Sequence, residues 1–262
     1  MKNNKLKLFY IALVLLFLYL PIIVLVVFSF NDSQLNIKWQ GFTLKWYSVL
    51  FHNKELLTAF INTIIVAVSA MTVSTIIGTL SAVGIYKHDF KLKGIVNSLL
   101  YIPIVIPEVV LGISLLSIYT LFKLNLGMFT LILAHITFCI PFVIINVRSV
   151  LTGMDKHLEE ASYDLGASRI TTFFRVTIPE LMPGIKSGAL LTLTLSLDDV
   201  IISYFTAGPD SITLPLKIFS MIKTGVTPDV NALSALMLLL TFSILIIATI
   251  QSYKDSVRRV RS

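Results

Sequence analysis

The chain has 262 residues and 21 Lys+Arg against 14 Asp+Glu, a formal net charge of +7. Charged residues make up 13% and apolar residues 56%, against about 25% and about 45–50% in soluble domains, and the mean hydropathy is +0.88. A disordered chain and a water-soluble enzyme are excluded, and with Cys139 as its 1 cysteine the chain holds neither an internal disulfide nor a Cys-rich metal site.

A bilayer core about 30 Å thick takes about 20 helical residues. Six stretches reach that length: 8–30, 59–86, 96–122, 129–147, 183–207 and 232–253. The sequence therefore predicts a single all-α, polytopic membrane domain over 1–262 with six transmembrane helices. Lys2, Lys5 and Lys7 precede the first span, as in a signal peptide. Its apolar run is about twice a signal's length and no small-x-small site follows, so a retained anchor is expected. The next segment, Asn31–Thr58, carries Trp39, Trp46 and Tyr47, suited to an interfacial belt or a docking surface.

In the second span Ala70, Ser74, Gly78 and Ala82 form a small-residue stripe, a site of close helix approach either within this chain or with another. The third span contains Pro103, Pro107 and Glu108; the two prolines remove backbone bonds and predict a break. In the fourth, His135 and Cys139 read as packed core residues rather than metal ligands. The fifth opens on Gly184 and Gly188 and carries Asp198, Asp199, Tyr204 and Phe205. A carboxylate at a helix centre costs about 2.5–3.5 kcal/mol on insertion scales. Glu108 and one of Asp198 and Asp199 are therefore candidates for a polar substrate path, with pairing to a neighbouring helix as the plain alternative. Tyr204 and Phe205, further along, are candidates for cation–π contact with an ammonium group. After that span, Leu214–Ile222 with Lys217 reads as a short amphipathic piece, and Arg258, Arg259 and Arg261 as a terminal charge cluster.

With the N-terminus inside, the inner segments hold 15 Lys and Arg and the outer ones 6. The excess of positive charge places both termini in the cytoplasm. On that side lies the polar segment 151–182. Met154, Leu158, Ala161 and Leu165 share a helical face. Gly166 supplies a left-handed stop. Ser168 caps a second short helix carrying Ile170, Phe173 and Phe174, expected to halt before Pro179.

Glu160-Ala161-Ser162, Gly166-Ala167-Ser168 and Val176-Thr177-Ile178-Pro179 are similar to the coupling (EAA) loop of bacterial ABC-importer permeases. That pattern is Glu-Ala-Ala, three residues, Gly, nine residues, Ile-x-Leu-Pro, and the spacing matches throughout. Ser162, Val176 and Ile178 are mild departures. Tyr19-Leu20-Pro21-Ile22-Ile23, Trp39-Gln40-Gly41-Phe42-Thr43, Ala134 through Phe142, Leu195-Ser196-Leu197-Asp198-Asp199-Val200 and Leu214-Pro215-Leu216-Lys217-Ile218 extend the resemblance, to the spermidine/putrescine branch of that family.

The resemblance implies a type I (MetI-like) permease fold in the bacterial inner membrane and a role in polyamine uptake. It implies as partners a second, related permease, two cytoplasmic ATPase subunits and an extracytoplasmic polyamine-binding protein, with lipid around them and no nucleic acid. Glu160, Ala161, Ser162, Asp164, Leu165, Gly166, Ala167 and Pro179 would couple to the ATPase, and Leu214–Ile222 would face the binding protein. The chain has no Gly-x-x-x-x-Gly-Lys-Ser/Thr loop, so no cofactor is expected on it; ATP and Mg would sit on the ATPase partner, with no catalytic residues here. Importers of iron, thiamine, phosphate or sulfate share the loop, although an anion importer is not expected to bury three carboxylates. An ion-coupled carrier lacks a use for the loop and would show inverted halves. An intramembrane enzyme would need a nucleophile–base or metal constellation.

Overall fold

The computed structural model of the chain describes residues 2–33, 38–155, 157–224 and 228–261, and among these the side chains outside 2–5, 223–224, 247–249 and 251–261. Lys156 and the side chains of Lys2, Lys5, Lys223, Lys254, Arg258, Arg259 and Arg261, all used in the charge comparison, lie outside the described residues.

Every regular element among the described residues is helical: α1 (Lys2–Phe28), α2 (Lys45–His52), α3 (Lys54–Lys87), α4 (Lys93–Val105), α5 (Glu108–Leu121), α6 (Met128–Leu151), α7 (His157–Asp164), α8 (Arg169–Thr172), α9 (Ile178–Asp198), α10 (Ile201–Thr206), α11 (Leu214–Thr224) and α12 (Pro228–Arg261). A π-turn, Phe173–Thr177, joins α8 to α9. Among the described residues four helices are long and apolar enough to cross a membrane, Leu6–Phe28, Lys54–Lys87, Met128–Leu151 and Pro228–Ile246, or five if α4 and α5, bent by 112°, form one span. The helices outrun the apolar stretches because polar residues such as Lys54 and Lys87 continue the same backbone past the hydrocarbon. At 34 residues, α3 is about 50 Å long.

The chain divides into two compact units, Met1–Thr58 with Ile218–Ser262, and Ala59–Lys217. In the first, α12 packs against α1 and α2. Asn31 organises the segment after α1. Its amide donates to the Lys38 carbonyl at 2.8 Å, its side-chain oxygen accepts from Gln40 N at 2.8 Å, and its carbonyl accepts from Trp46 Nε1 at 2.8 Å. Ser29 Oγ gives its one hydrogen to the Val26 carbonyl, so the Tyr47 hydroxyl donates to it, at 2.8 Å. Trp46 and Tyr47 therefore hold this segment together, while Trp39 is exposed.

In the second unit α6 is the axis. Its C-terminal half (Val143, Ile144, Val147, Leu151) forms one apolar cluster with Ala82 and Val83 of α3 and Leu181 of α9. Its N-terminal half (Ala134, Phe138, Cys139) forms another with Leu111 and Leu115 of α5 and Ile202 of α10. Backbones come close enough to leave no room for side chains. A Cβ at Gly78 would lie 2.6 Å from Val143 Cβ, and one at Gly184 2.8 Å from the Asn146 carbonyl oxygen. The neighbour of both small-residue patterns is thus α6 of this same chain.

Three breaks differ in part from expectation. The third stretch breaks at Ile106, extended at φ −74, ψ 147, because Pro107 disfavours helix in the residue before it; Pro103 stays inside the last turn of α4. The fifth stretch, expected as one helix over 183–207, starts at Ile178 and divides at Asp199, φ −64, ψ 130. The helix expected to halt before Pro179 does not. Thr172, Thr177 and Ile178 keep helical dihedrals, so α8, the π-turn and α9 form one rod. The wider π-turn gives the proline ring the room that an α-turn would deny it.

Replacing Gly78 by Leu should destabilise the detergent-solubilised protein by about 1–3 kcal/mol through overpacking against α6. The same change at Gly84, where nothing lies within 4 Å of a Cβ, should leave the thermal midpoint within a degree or two of wild type.

Candidate functional site

Two sets of residues, both within Ala59–Lys217, hold the candidate functional side chains. The first is the bent pair α7–α8. The Gly166 amide donates to the Tyr163 carbonyl at 2.9 Å and the Ala167 amide to the Ser162 carbonyl at 3.1 Å, with Gly166 at φ +84. This is the paired closure of a helix ended by a left-handed glycine. Ser168 Oγ accepts from Thr171 N at 3.2 Å and caps α8. Ser162 and Thr172 hydroxyls meet at 3.0 Å and tie the two helices together.

The apolar edge of this pair points away from the bundle. Leu165 is 89% exposed, and Leu158, Ile170 and Phe174 are exposed as well; so are Glu160, Ala161, Asp164 and Pro179, with Ala167 half-buried. Met154, assigned by spacing to the same face, lies ahead of α7 and packs on the α6 cluster instead. Glu160 lies 3.0 Å from His157 Nδ1.

Glu159, the residue beside it, turns inward, and periodicity alone did not mark it. Lys87 Nζ, at the end of α3, donates to both its carboxylate oxygens at 2.6 and 2.7 Å. Thr177 Oγ1 of the π-turn donates to Oε1 at 2.5 Å. One carboxylate thus joins α3, α7 and the start of α9, on the wall of a cavity of about 410 Å³ that Tyr86 and Tyr163 also line. Burial opposes its charge, but the hydrogen bonds from Lys87 and Thr177 and the Lys87 charge outweigh burial and hold Glu159 below the usual carboxylate range.

The second set lies at the two helix breaks. Glu108 opens α5 and is exposed. Asp198 closes α9 and is exposed, whereas Asp199 is 8% exposed. Asp199 accepts from Ile202 N at 3.2 Å and from Ser203 N and Oγ at 2.8 Å each. It caps α10 with the amide partners that the break at 199–200 leaves free. The α5 helix that Glu108 opens packs directly on α10, which follows the two aspartates. Of the two aromatic candidates, Phe205 lies against α5, where a Cβ on Gly112 would meet its ring; the Tyr204 ring is exposed and meets Phe205 edge-on at 5.3 Å. Among the described residues no three His, Cys, Asp or Glu side chains come together as a metal ion would require.

Charge reversal tests the Glu159 junction. Lys87→Glu or Glu159→Lys should each speed amide hydrogen exchange across 157–166 about fivefold, the loss of a partly screened pair worth ~1 kcal/mol. The swapped double variant should restore most of the protection. Because the folded carboxyl titrates below its ordinary value of about 4.3, the junction is complete above that pH. Its contribution should be lost only as pH falls through the lower folded value.

Residues 74–262 match the family model described as "Binding-protein-dependent transport system inner membrane component". The spermidine/putrescine transport system permease protein PotC of Escherichia coli (strain K12) is 45% identical over 230 residues, 88% of this chain and 87% of that one. The putrescine transport system permease protein PotI of the same strain is 38% identical over 229 residues, 85% of this chain and 82% of that one. Among solved structures, a bacterial ABC transporter involved in the import of the acidic polysaccharide alginate has the same fold. Its TM-score is 0.76 at 18% identity, over 96% of this chain and 95% of that one. The chain therefore belongs to the inner-membrane components of binding-protein-dependent transport systems and has the fold of an ABC-importer permease.

Proposed function

We propose that the chain is the permease subunit of an ATP-binding-cassette importer and forms half of a translocation pathway for polyamines such as spermidine and putrescine. The observation that carries this is the 45% identity to a spermidine/putrescine permease along 88% of the chain. Fold does not choose the cargo, since a transporter of an acidic polysaccharide has the same fold. The exposed carboxylates of Glu108 and Asp198 at two helix breaks suit a polycation, whose charge offsets theirs in passing.

In this reading six spans, α1, α3, α4–α5, α6, α9–α10 and α12, cross the bacterial inner membrane with both termini in the cytoplasm. A second, related permease completes the path, a binding protein delivers cargo from outside, and two ATPase subunits bind ATP and Mg and do the hydrolysis. The chain itself is non-catalytic. The ATPase grips the outward apolar edge of α7–α8, and its closure pushes the pair inward. Moving such an equilibrium from 1:99 to 99:1 takes about 5.5 kcal/mol of differential binding. The 21 residues of α9, about 30 Å, continue the rod from the π-turn to Asp198. A push on the loop is thereby delivered at the candidate cargo carboxylate.

Uptake of labelled spermidine by cells expressing the chain with its importer partners tests the reading. Asp198→Asn should lower the initial rate about tenfold, the order expected of a lost charge-assisted contact. Gly166→Val, which cannot hold φ +84 without strain, should leave ATP hydrolysis running while uptake falls. Full uptake by an Asp198→Asn chain present at wild-type level would remove that residue from the path.

A further inference from the structure

His135 belongs to α6, is 1% exposed, and bonds to both halves of the broken fifth stretch. Its Nδ1 lies 2.7 Å from Ser196 Oγ of α9. Its Nε2 lies 3.1 Å from Ser203 Oγ of α10 and 3.5 Å from Asp199 Oδ2. Ser196, Asp199 and Ser203 are all buried with it. Hydrogen bookkeeping assigns the roles. Ser203 Oγ spends its one hydrogen on Asp199 Oδ2, so it accepts from His135, and Nε2 carries a proton. In the neutral ring Nδ1 is then an acceptor, and Ser196 Oγ donates to it.

The consequence is mechanical. Asp199 has extended dihedrals between α9 and Val200, and its carboxylate is tied to α10 through Ile202 and Ser203, so holding the joint still takes a brace from outside α9–α10. His135 is that brace: from the axis helix it holds Ser203, and through Ser203 the Asp199 carboxylate, while Nδ1 holds the last turn of α9. The joint is thereby set in one geometry, and the backbone direction of the adjacent Asp198 is set with it. We infer that His135 is a positioning residue for cargo recognition, acting through Ser203 and Asp199 to aim Asp198. This rests on the proposal that Asp198 faces the cargo.

Two amide replacements separate positioning from mere filling. The Gln side chain places its amide near the position of Nε2 and can still donate to Ser203; the Asn amide reaches only the position of Nδ1. The assay is spermidine uptake by the complete importer, with co-purification of the partner permease as the check on assembly. His135→Gln should keep uptake within about twofold, and His135→Asn should lower it about tenfold, since a buried acceptor then loses its outside donor. Adding Asp198→Asn to His135→Asn should cause no further loss, because both act on one group.

Equal uptake by the assembled Asn and Gln variants, or losses that multiply with Asp198→Asn, would overturn the inference. If the Asn variant does not assemble, Ser203→Ala decides: lost uptake in an assembled complex supports the brace, and retained uptake refutes it. Wild-type importer that moves no spermidine would instead defeat the functional reading on which the inference stands.

Discussion

Backbone-to-backbone approach along α6 is the constraint on which the second unit depends. Glycines of α3 and α9 reach Val143 and Asn146 of α6 within van der Waals range, at positions where a Cβ would collide. In lipid, water does not drive helices together, so packing of this kind and buried hydrogen bonds must do it. With α3 and α9 fixed at its C-terminal half and α5 and α10 at its N-terminal half, α6 serves as the post against which other parts are placed. His135 holds the joint in the fifth stretch from that post, and Arg148 Nη1 reaches Asn97 of α4 at 2.8 Å.

Much of the candidate loop was legible because its backbone demands particular residues. A left-handed helix end favours glycine, and Gly166 stands there. A helix start favours a short hydroxyl, and Ser168 caps α8. The small-residue stripe was legible for a similar reason, although its neighbour was not, since spacing says that a face is close-packed without naming its partner. Pro179 misled because a π-turn accommodates what an α-turn cannot, and π-turns leave no compositional mark.

The break at 199–200 was hidden by its lack of proline or glycine. Its one signal was Asp199 ahead of an apolar run, a capping residue at the start of a new helix. Read that way, the adjacent carboxylates divide their work: Asp199 satisfies backbone amides, and Asp198 is left for other chemistry. Glu159 was obscured likewise, because two neighbouring glutamates on a helix point in different directions and only the position of Lys87 decides which one turns inward. Lys87 lies 72 residues away in sequence. Sequence periodicity sees one element at a time, and both of these residues act between elements.

In the proposed importer α7–α8 is a handle worked by a motor on other chains, and α9 carries its motion to the cargo path. Reconstitution into liposomes measures this most directly. Spermidine accumulation is followed with this chain and its partner permease alone, and again with the ATPase subunits, ATP and a loaded binding protein. Accumulation against a gradient is expected only in the complete assembly, and should be abolished when hydrolysis is blocked. Equal accumulation by the permeases alone, with no nucleotide hydrolysed, would contradict it.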